Sequence, residues 1–294
     1  MAAPAFLAQV SSFSLMRSAA AGWLVALVVA LAACTTPPPA WQGQDNNAAP
    51  WRHVTQGLDY RSFIPWPDSR VHVLRLDLRE PGLRLEVSGP EERGLPINQR
   101  PGSSHAVASF NASFFDRSFA PRGVTVSQGQ PWAKVLDAQS SPWLACDLAQ
   151  RCRMRFADTA ATPADAVEAV AGTPWLVRGG QVRSAADDAA CAALCARTHP
   201  RTAVGLAGQG RWLLVVLAEG RRPPVAGVTL VQLSQLMREL GADDAINLDG
   251  GGSSTLWLQG RAVMARPANE PQERALSNVV SIVYSGTGAV SVGP

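Results

Sequence analysis

The sequence predicts an α+β fold: mixed or antiparallel β-sheets with a few short helices, arranged as a single large domain. Three observations predict it. Short alternating or continuous apolar runs recur along the chain. Helical spacing is confined to brief segments. No long strand–helix–strand alternation, the mark of a parallel α/β sheet, is present. A chain of 294 residues, 47% hydrophobic and 17% charged, is long enough to bury a core without staples. Its 25 Gly and 22 Pro are spread in a loop-rich globular pattern, which excludes a disordered chain, a coiled coil and a collagen-like fibre. The net charge is +3, and Lys134 is the one lysine among the 26 basic residues. No basic run tracks a phosphate backbone, so nucleic acid is not expected as a partner.

Taken in order, residues 71–78 and 83–87 alternate apolar with polar around Glu80-Pro81-Gly82, which reads as a β-hairpin. Residues 106–110 read as a short buried strand. Thr162-Pro163-Ala164-Asp165 offers a cap, a proline at the first helical position and an early acid, and Gly172 follows, predicting a short helix over 163–171. Residues 213–217 form a continuous apolar run of strand length. Thr229-x-x-Gln232 is a capping box opening a helix in which Leu230, Leu233, Leu236, Met237 and Leu240 keep helical spacing up to Gly241. Residues 245–248, 255–258 and 279–284 read as strands.

The N-terminus carries an export signal. Residues 19–33 are apolar but for glycine, preceded by Arg17, and too short to span a bilayer. The ending Leu31-Ala32-Ala33-Cys34 resembles the lipobox of bacterial lipoproteins, with Cys34 as the lipidated residue, and Met16 would make a suitable start. Thr35 after the cysteine points to the outer membrane, facing the periplasm. The expected organisation is a signal peptide at 1–33, a Pro-rich tether at 34–50 and the domain at 51–294, with the membrane as a partner through the lipid anchor. Four further cysteines in an exported chain read as two disulfides, Cys146 with Cys152 and Cys191 with Cys195. Their spacings do not fit the usual zinc patterns.

Four segments hold the chemistry. Asn247-Leu248-Asp249-Gly250-Gly251-Gly252-Ser253-Ser254-Thr255 lies between two predicted strands. Its glycines make sense where the chain turns tightly or approaches a ligand, with Gly250, Gly251 and Gly252 offering backbone N–H groups and Ser253 a hydroxyl. It is neither a Walker loop nor a serine-hydrolase elbow; a ligand-free hairpin turn is the alternative. In Asn111-Ala112-Ser113-Phe114-Phe115-Asp116, Asn111 can bind sugar hydroxyls with Phe115 beneath, or form an Asx turn. Arg201 offers a planar fork for phosphate or carboxylate, and Glu219, in Glu219-Gly220-Arg221, a second carboxylate. Arg274, in Arg274-Ala275-Leu276-Ser277-Asn278, is either structural or a further anion ligand.

In this order these motifs, with Gly172-x-Pro174-x-Leu176, Arg201-Thr202-x-x-Gly205 and Gly227-x-Thr229-Leu230, resemble the phosphodiester glycosidase family over residues 71–284. The chain departs from the family at Ala112-Ser113, where Gly-Gly is frequent, and at Glu219, where aspartate is. The resemblance implies a hydrolase acting on a sugar C1–O–phosphate bond in an envelope or extracellular glycan, with a phosphorylated glycan as substrate. It implies Arg201, Arg274 and the Gly250–Gly252 amides on the phosphate. Asp249 or Glu219 acts as nucleophile or base, and Asn111, Phe115, Ser253 and Asn278 hold the sugar side. No cofactor is required on this reading, and a divalent cation is compatible with it. A non-catalytic glycan-binding lipoprotein of the same fold is the alternative.

Overall fold

Short strands, many of them buried on both faces, form the framework of the domain, as a computed structural model of the chain shows. The structure describes residues 50–133, 135–136, 141–156 and 164–286. In chain order the strands are β1 (Arg52–Thr55), β2 (Leu58–Phe63), β3 (Val71–Asp77), β4 (Leu83–Val87), β5 (Ala108–Asn111), β6 (Thr125–Ser127), β7 (Gln130–Pro131), β8 (Trp143–Cys146), β9 (Cys152–Arg155), β10 (Glu168–Ala171), β11 (Trp175–Arg178), β12 (Gln181–Val182), β13 (Arg201–Ala207), β14 (Trp212–Ala218), β15 (Ala242–Asn247), β16 (Leu256–Leu258), β17 (Arg261–Ala262) and β18 (Val279–Tyr284). The α-helices are α1 (Pro101–His105), α2 (Ala192–Cys195) and α3 (Leu230–Glu239).

The strands form three antiparallel sheets. An eight-stranded sheet runs β1-β2-β3-β14-β13-β15-β11-β12; two five-stranded sheets run β7-β6-β10-β8-β9 and β17-β16-β5-β18-β4. Helix α3 covers one face of the large sheet. Thr229 caps it by the expected box, accepting from the Gln232 N–H while Gln232 reaches back to the Thr229 N–H. Its Leu230, Leu233, Leu236 and Met237 pack on Val73, Ala203, Val216 and Ala245, each large apolar side chain contributing about 1.5–3 kcal/mol on burial. On the opposite face Leu74, Val204, Val215 and Ile246 meet Leu85, Phe110, Leu256 and Ile282 of one small sheet, and Leu144 and Val170 of the other. The result is an α+β domain with the main core between its sheets.

Two expectations fail. Residues 71–77 and 83–87 are strands, but not a hairpin: β3 pairs with β2 and β14, whereas β4 pairs with β18. Glu80-Pro81-Gly82 turns the chain from one sheet into another, β3 pairing along its length with β2 and β14 and β4 with β18. The helix expected over 163–171 is a turn at 164–165 followed by β10, paired on both sides with β6 and β8; sheet pairing overrides the capping signal, of which Thr162 and Pro163 lie outside the described residues. Both disulfides are present, with Cα separations of 4.0 Å for Cys146–Cys152 and 5.5 Å for Cys191–Cys195. The signal peptide, Cys34 and the tether fall outside the described residues, save Pro50.

A buried carboxylate joins the two small sheets. β4 is an edge strand, whose outward N–H groups need partners. Glu168 of β10 accepts from the Val87 N–H at 2.8 Å and from the Gln128 N–H at 3.1 Å. Burial pushes its pKa up to about 7, the two N–H donors opposing only part of the shift. The folded state therefore holds this proton more tightly than the unfolded chain. The group's contribution is complete below pH about 4.5 and is lost as pH rises through about 7, on the order of 3 kcal/mol at most. Thermal melts between these pH values should show a fall in Tm that Glu168→Gln flattens; an identical slope in the variant would remove Glu168 as the cause.

Candidate active site

One end of the large sheet gathers the functional segments. β14 and β15 finish there and β13 starts there, since Arg201 pairs with Ala218 and Ala203 with Asn247. In the neighbouring small sheet β5 finishes beside the start of β16 and β18, as Leu256 pairs with Phe110 and Val279 with Asn111. The Asn247–Thr255 loop crosses from one sheet to the other. Asn111, 1% exposed, fastens that crossing. Its Nδ2 donates to the Asp249 carbonyl at 2.6 Å, and its Oδ1 accepts from Thr202 Oγ1 at 2.8 Å and the Thr255 N–H at 3.2 Å. The Asp249 N–H donates to the Ala112 carbonyl at 2.9 Å.

Held at both backbone groups, Asp249 has little freedom. Its Oδ1 accepts the Gly250 N–H at 2.9 Å, and the Ser253 hydroxyl also bonds its carboxylate. Burial pushes its pKa up to about 6 against the opposing pull of Ser253, the Gly250 N–H and the Arg274 charge. The glycines are explained by close approach. A Cβ on Gly250 would sit 2.8 Å from the Pro200 carbonyl oxygen; Gly251 has φ +62°; and a Cβ on Gly252 would collide with the Glu270 carboxylate and with Arg274 Cζ at 2.7 Å. Two of the three loop amides are internally engaged: Gly250 on Asp249 and Gly251 on the Pro200 carbonyl at 2.8 Å. Of the Gly250, Gly251 and Gly252 amides expected to cradle an anion, the first two are therefore committed inside the protein.

Two exposed arginines flank this loop. Arg221 lies against Gly251, its NH1 3.0 Å from where a Cβ would stand, and it holds φ +52°, a backbone region rare for a branched-out side chain. Its NH2 donates to His199 Nδ1 at 3.1 Å. Burial, then the charges of Arg201, Arg221 and Arg197, push the His199 pKa down to about 4, so the imidazole is neutral at pH 7 and accepts. Arg274 lies over Gly252, paired with Glu270. Glu219, at the end of β14, is buried and accepts from His72 Nε2 at 2.8 Å and the Ala265 N–H at 2.9 Å; His72 Nδ1 in turn meets Tyr60 Oη at 2.8 Å. Burial raises the Glu219 pKa, but the bonds from His72 and Ala265 outweigh it and hold the group below the usual carboxylate range.

The structure redistributes the expected roles. Arg201 does not face the loop. Side chains alternate along β13, so Thr202 meets Asn111 while Arg201 leaves on the α3 face. There it is 3% exposed, and its guanidinium donates to the Leu194, Arg197 and Val228 carbonyls at 2.5, 3.0 and 3.4 Å. Burial pulls its pKa down to about 10, still charged at neutral pH. It positions backbone rather than clamping an anion. Asn111 has both ends of its amide satisfied inside the protein, so it is a positioning residue and not a ligand for sugar. Asn278 is likewise 1% exposed and clamps Ser113, accepting from its N–H at 2.8 Å and donating to its Oγ at 3.0 Å. Phe115 packs against Ile97, Leu276 and Val279 and stacks on Phe119 at 5.4 Å, under the segment carrying Arg274. Ser253 is 2% exposed and turned to Asp249.

Sequence reasoning passed over Arg221, His199 and Glu270. Arg221 was visible beside Glu219, and His199 two residues before Arg201; Glu270 carries no local signal. For a divalent cation, the test is whether carboxylate and imidazole donors converge. Among the described residues the one such grouping is Asp188, Cys191 and Cys195, and its sulfurs form a disulfide. Among the described residues no set of three donors gathers round Asp249.

A β-rich domain with a half-buried aspartate on a glycine loop, flanked by exposed arginines, defines a class of site suited to an anionic, polar ligand. A sequence model of the phosphodiester glycosidase family (NAGPA) matches residues 104–283, and the chain belongs to that family. The catalytic domain of zebrafish N-acetylglucosamine-1-phosphodiester alpha-N-acetylglucosaminidase, auto-inhibited by its pro-peptide, is 19% identical over 80% of this chain and 86% of that one, with a TM-score of 0.63. A hypothetical protein from Synechocystis is 16% identical over 80% of this chain and 64% of that one, with a TM-score of 0.57. The SPbeta prophage-derived uncharacterized protein YomE of Bacillus subtilis (strain 168) is 31% identical over 86 residues; the match spans 29% of this chain and 13% of that protein.

Because buried Arg201 serves three backbone carbonyls, Arg201→Lys should destabilise the fold by about 1–3 kcal/mol, the fork being lost while the charge stays. A clear drop in Tm without added ligand checks this. An unchanged Tm with weakened anion binding would return Arg201 to the site.

Proposed function

We propose that the chain is a hydrolase that cleaves the C1–O bond of a sugar-1-phosphodiester. The single observation that carries this reading is Asp249: a half-buried carboxylate, its pKa raised to about 6, on a loop pressed between two cationic side chains. The zebrafish relative's name describes a phosphodiester of N-acetylglucosamine, and from it we take the bond class and not the sugar. Expelling a phosphate monoester needs less proton donation than expelling an alcohol, whereas charge on the leaving oxygens needs stabilising. Arg221 and Arg274 take that role, Arg274 exchanging Glu270 for phosphate. Asp249 attacks C1 or takes the proton of the attacking water, and Glu219, kept ionised by His72 and the Ala265 N–H, supplies the second carboxylate. Water's oxygen ends on the sugar.

Asp249→Asn should therefore abolish turnover of a sugar-1-phosphodiester with little change in Tm, while the wild-type rate rises as pH increases through about 6, where Asp249 loses its proton. Oxygen-18 from labelled water should appear in the sugar; label in the phosphate would mean P–O cleavage. Saturable binding without turnover in the wild type would support the glycan-binding alternative instead.

We further propose that the protein is exported and lipid-anchored at Cys34, at the outer membrane facing the periplasm, with an envelope or extracellular glycan as substrate. The small residues directly before Cys34 support this. Cys34→Ser should move the protein from the membrane to the soluble fraction or leave it unprocessed; unchanged partitioning and processing would exclude the anchor.

A further inference from the structure

The face of the glycine loop proposed to receive a phosphate already carries an anion of the protein's own. A Cβ on Gly252 would stand 2.6 Å from Glu270 Cδ and 2.7 Å from Arg274 Cζ, so a carboxylate and a guanidinium both press on that bare backbone. The two side chains are ion-paired with each other. They sit four residues apart, yet in the irregular segment between β17 and β18, so no helix imposes the pairing. The Glu270 side chain is largely covered, whereas Arg274 is half exposed. A covered carboxylate usually collects several donors, having about four lone-pair sites to fill. Among the described residues, Arg274 is the one hydrogen-bonding partner of this carboxylate. Glu270 is therefore held in place by a single, partly exposed ion pair, a class of contact that stabilises weakly.

We propose that Glu270 is an internal stand-in for the ligand's phosphate, occupying the anion's place beside Gly252 and Arg274 until a phosphate displaces it. This makes Glu270 a specificity-determining residue, and the inference rests on the reading of Arg274 as a phosphate ligand. A neutral glycoside offers Arg274 nothing in exchange and leaves the carboxylate where it is. A phosphodiester brings one negative charge on two free oxygens, which can serve Arg274 and Arg221 together; Glu270 is paired with Arg274 alone. When the C1–O bond breaks, its electron pair stays on the bridging oxygen and the phosphate gains a second charge. The preference of Arg274 for phosphate over Glu270 grows at that moment, so the exchange favours the transition state over the ground state.

Phosphorus NMR titration of the full chain with inorganic phosphate, at neutral pH and low ionic strength, tests the inference. The wild type should bind, and Glu270→Gln should bind about two- to fivefold more tightly, because no ion pair has to be broken first. A side chain that merely supported the loop would weaken binding when replaced. Removing any nearby negative charge also helps an anion, so a second arm separates the two effects. Arg274→Gln should bind more weakly than the wild type, and in that background Glu270→Gln should give no gain, there being no partner left to release. Equal or weaker binding by Glu270→Gln, with Arg274→Gln still weakened, overturns the inference and leaves Arg274 as a ligand. An undiminished gain in the Arg274→Gln background also overturns it. If neither the wild type nor Glu270→Gln binds phosphate, the inference fails together with the phosphate reading of the site.

Discussion

One buried carboxamide ties together everything that faces the candidate site. Asn111 ends a strand of one sheet, Thr202 is the second residue of a strand of another, and Asp249 and Thr255 bracket the loop that passes between them. A side chain with two donors and an acceptor oxygen of two lone pairs can satisfy three such groups at once; an apolar residue would leave the Asp249 carbonyl and the Thr255 N–H without this partner. The position of Asp249 is thus set from behind by backbone contacts. Its carboxylate is then free to be shaped by burial, by Ser253 and by the charge of Arg274.

The rest of the architecture serves that junction. Helix α3 covers one face of the large sheet, and Arg201 stitches the same face to α2, whose segment the Cys191–Cys195 bridge closes. The opposite face carries Thr202 and Glu219 towards the small sheets. Arginine is therefore used in two ways at one sheet end. Buried Arg201 and Arg100 spend their forks on carbonyl oxygens, whereas exposed Arg221 and Arg274 lie on glycine backbones where a ligand can reach them. A planar, permanently charged fork suits both tasks.

Much of this was legible beforehand, and the failures have physical reasons. The capping box of α3 and the 279–284 strand stand where local pattern puts them, since local hydrogen bonds and periodicity act within a few residues. The glycine loop and Asp249 were conspicuous because consecutive glycines require an explanation. Arg201 misled because a sequence does not show to which face of a strand a side chain turns; the apolar alternation of β13 is too uniform to tell. The 71–87 hairpin misled because two adjacent strands with a good turn can still find better partners far along the chain. The 163–171 helix gave way to pairing with β6 and β8. Glu270 was invisible, since the Gly252 it lies over comes from another loop.

The central claim is that Asp249, Arg221 and Arg274 form one anion-receiving site round the glycine loop. A crystal structure of Asp249→Asn soaked with a sugar-1-phosphodiester tests it most directly. The account predicts the phosphate within hydrogen-bond distance of the Arg221 and Arg274 guanidinium groups, with the sugar C1 facing residue 249. A phosphate bound elsewhere, or one reached by Arg201 after it releases the Leu194 and Arg197 carbonyls, would contradict it.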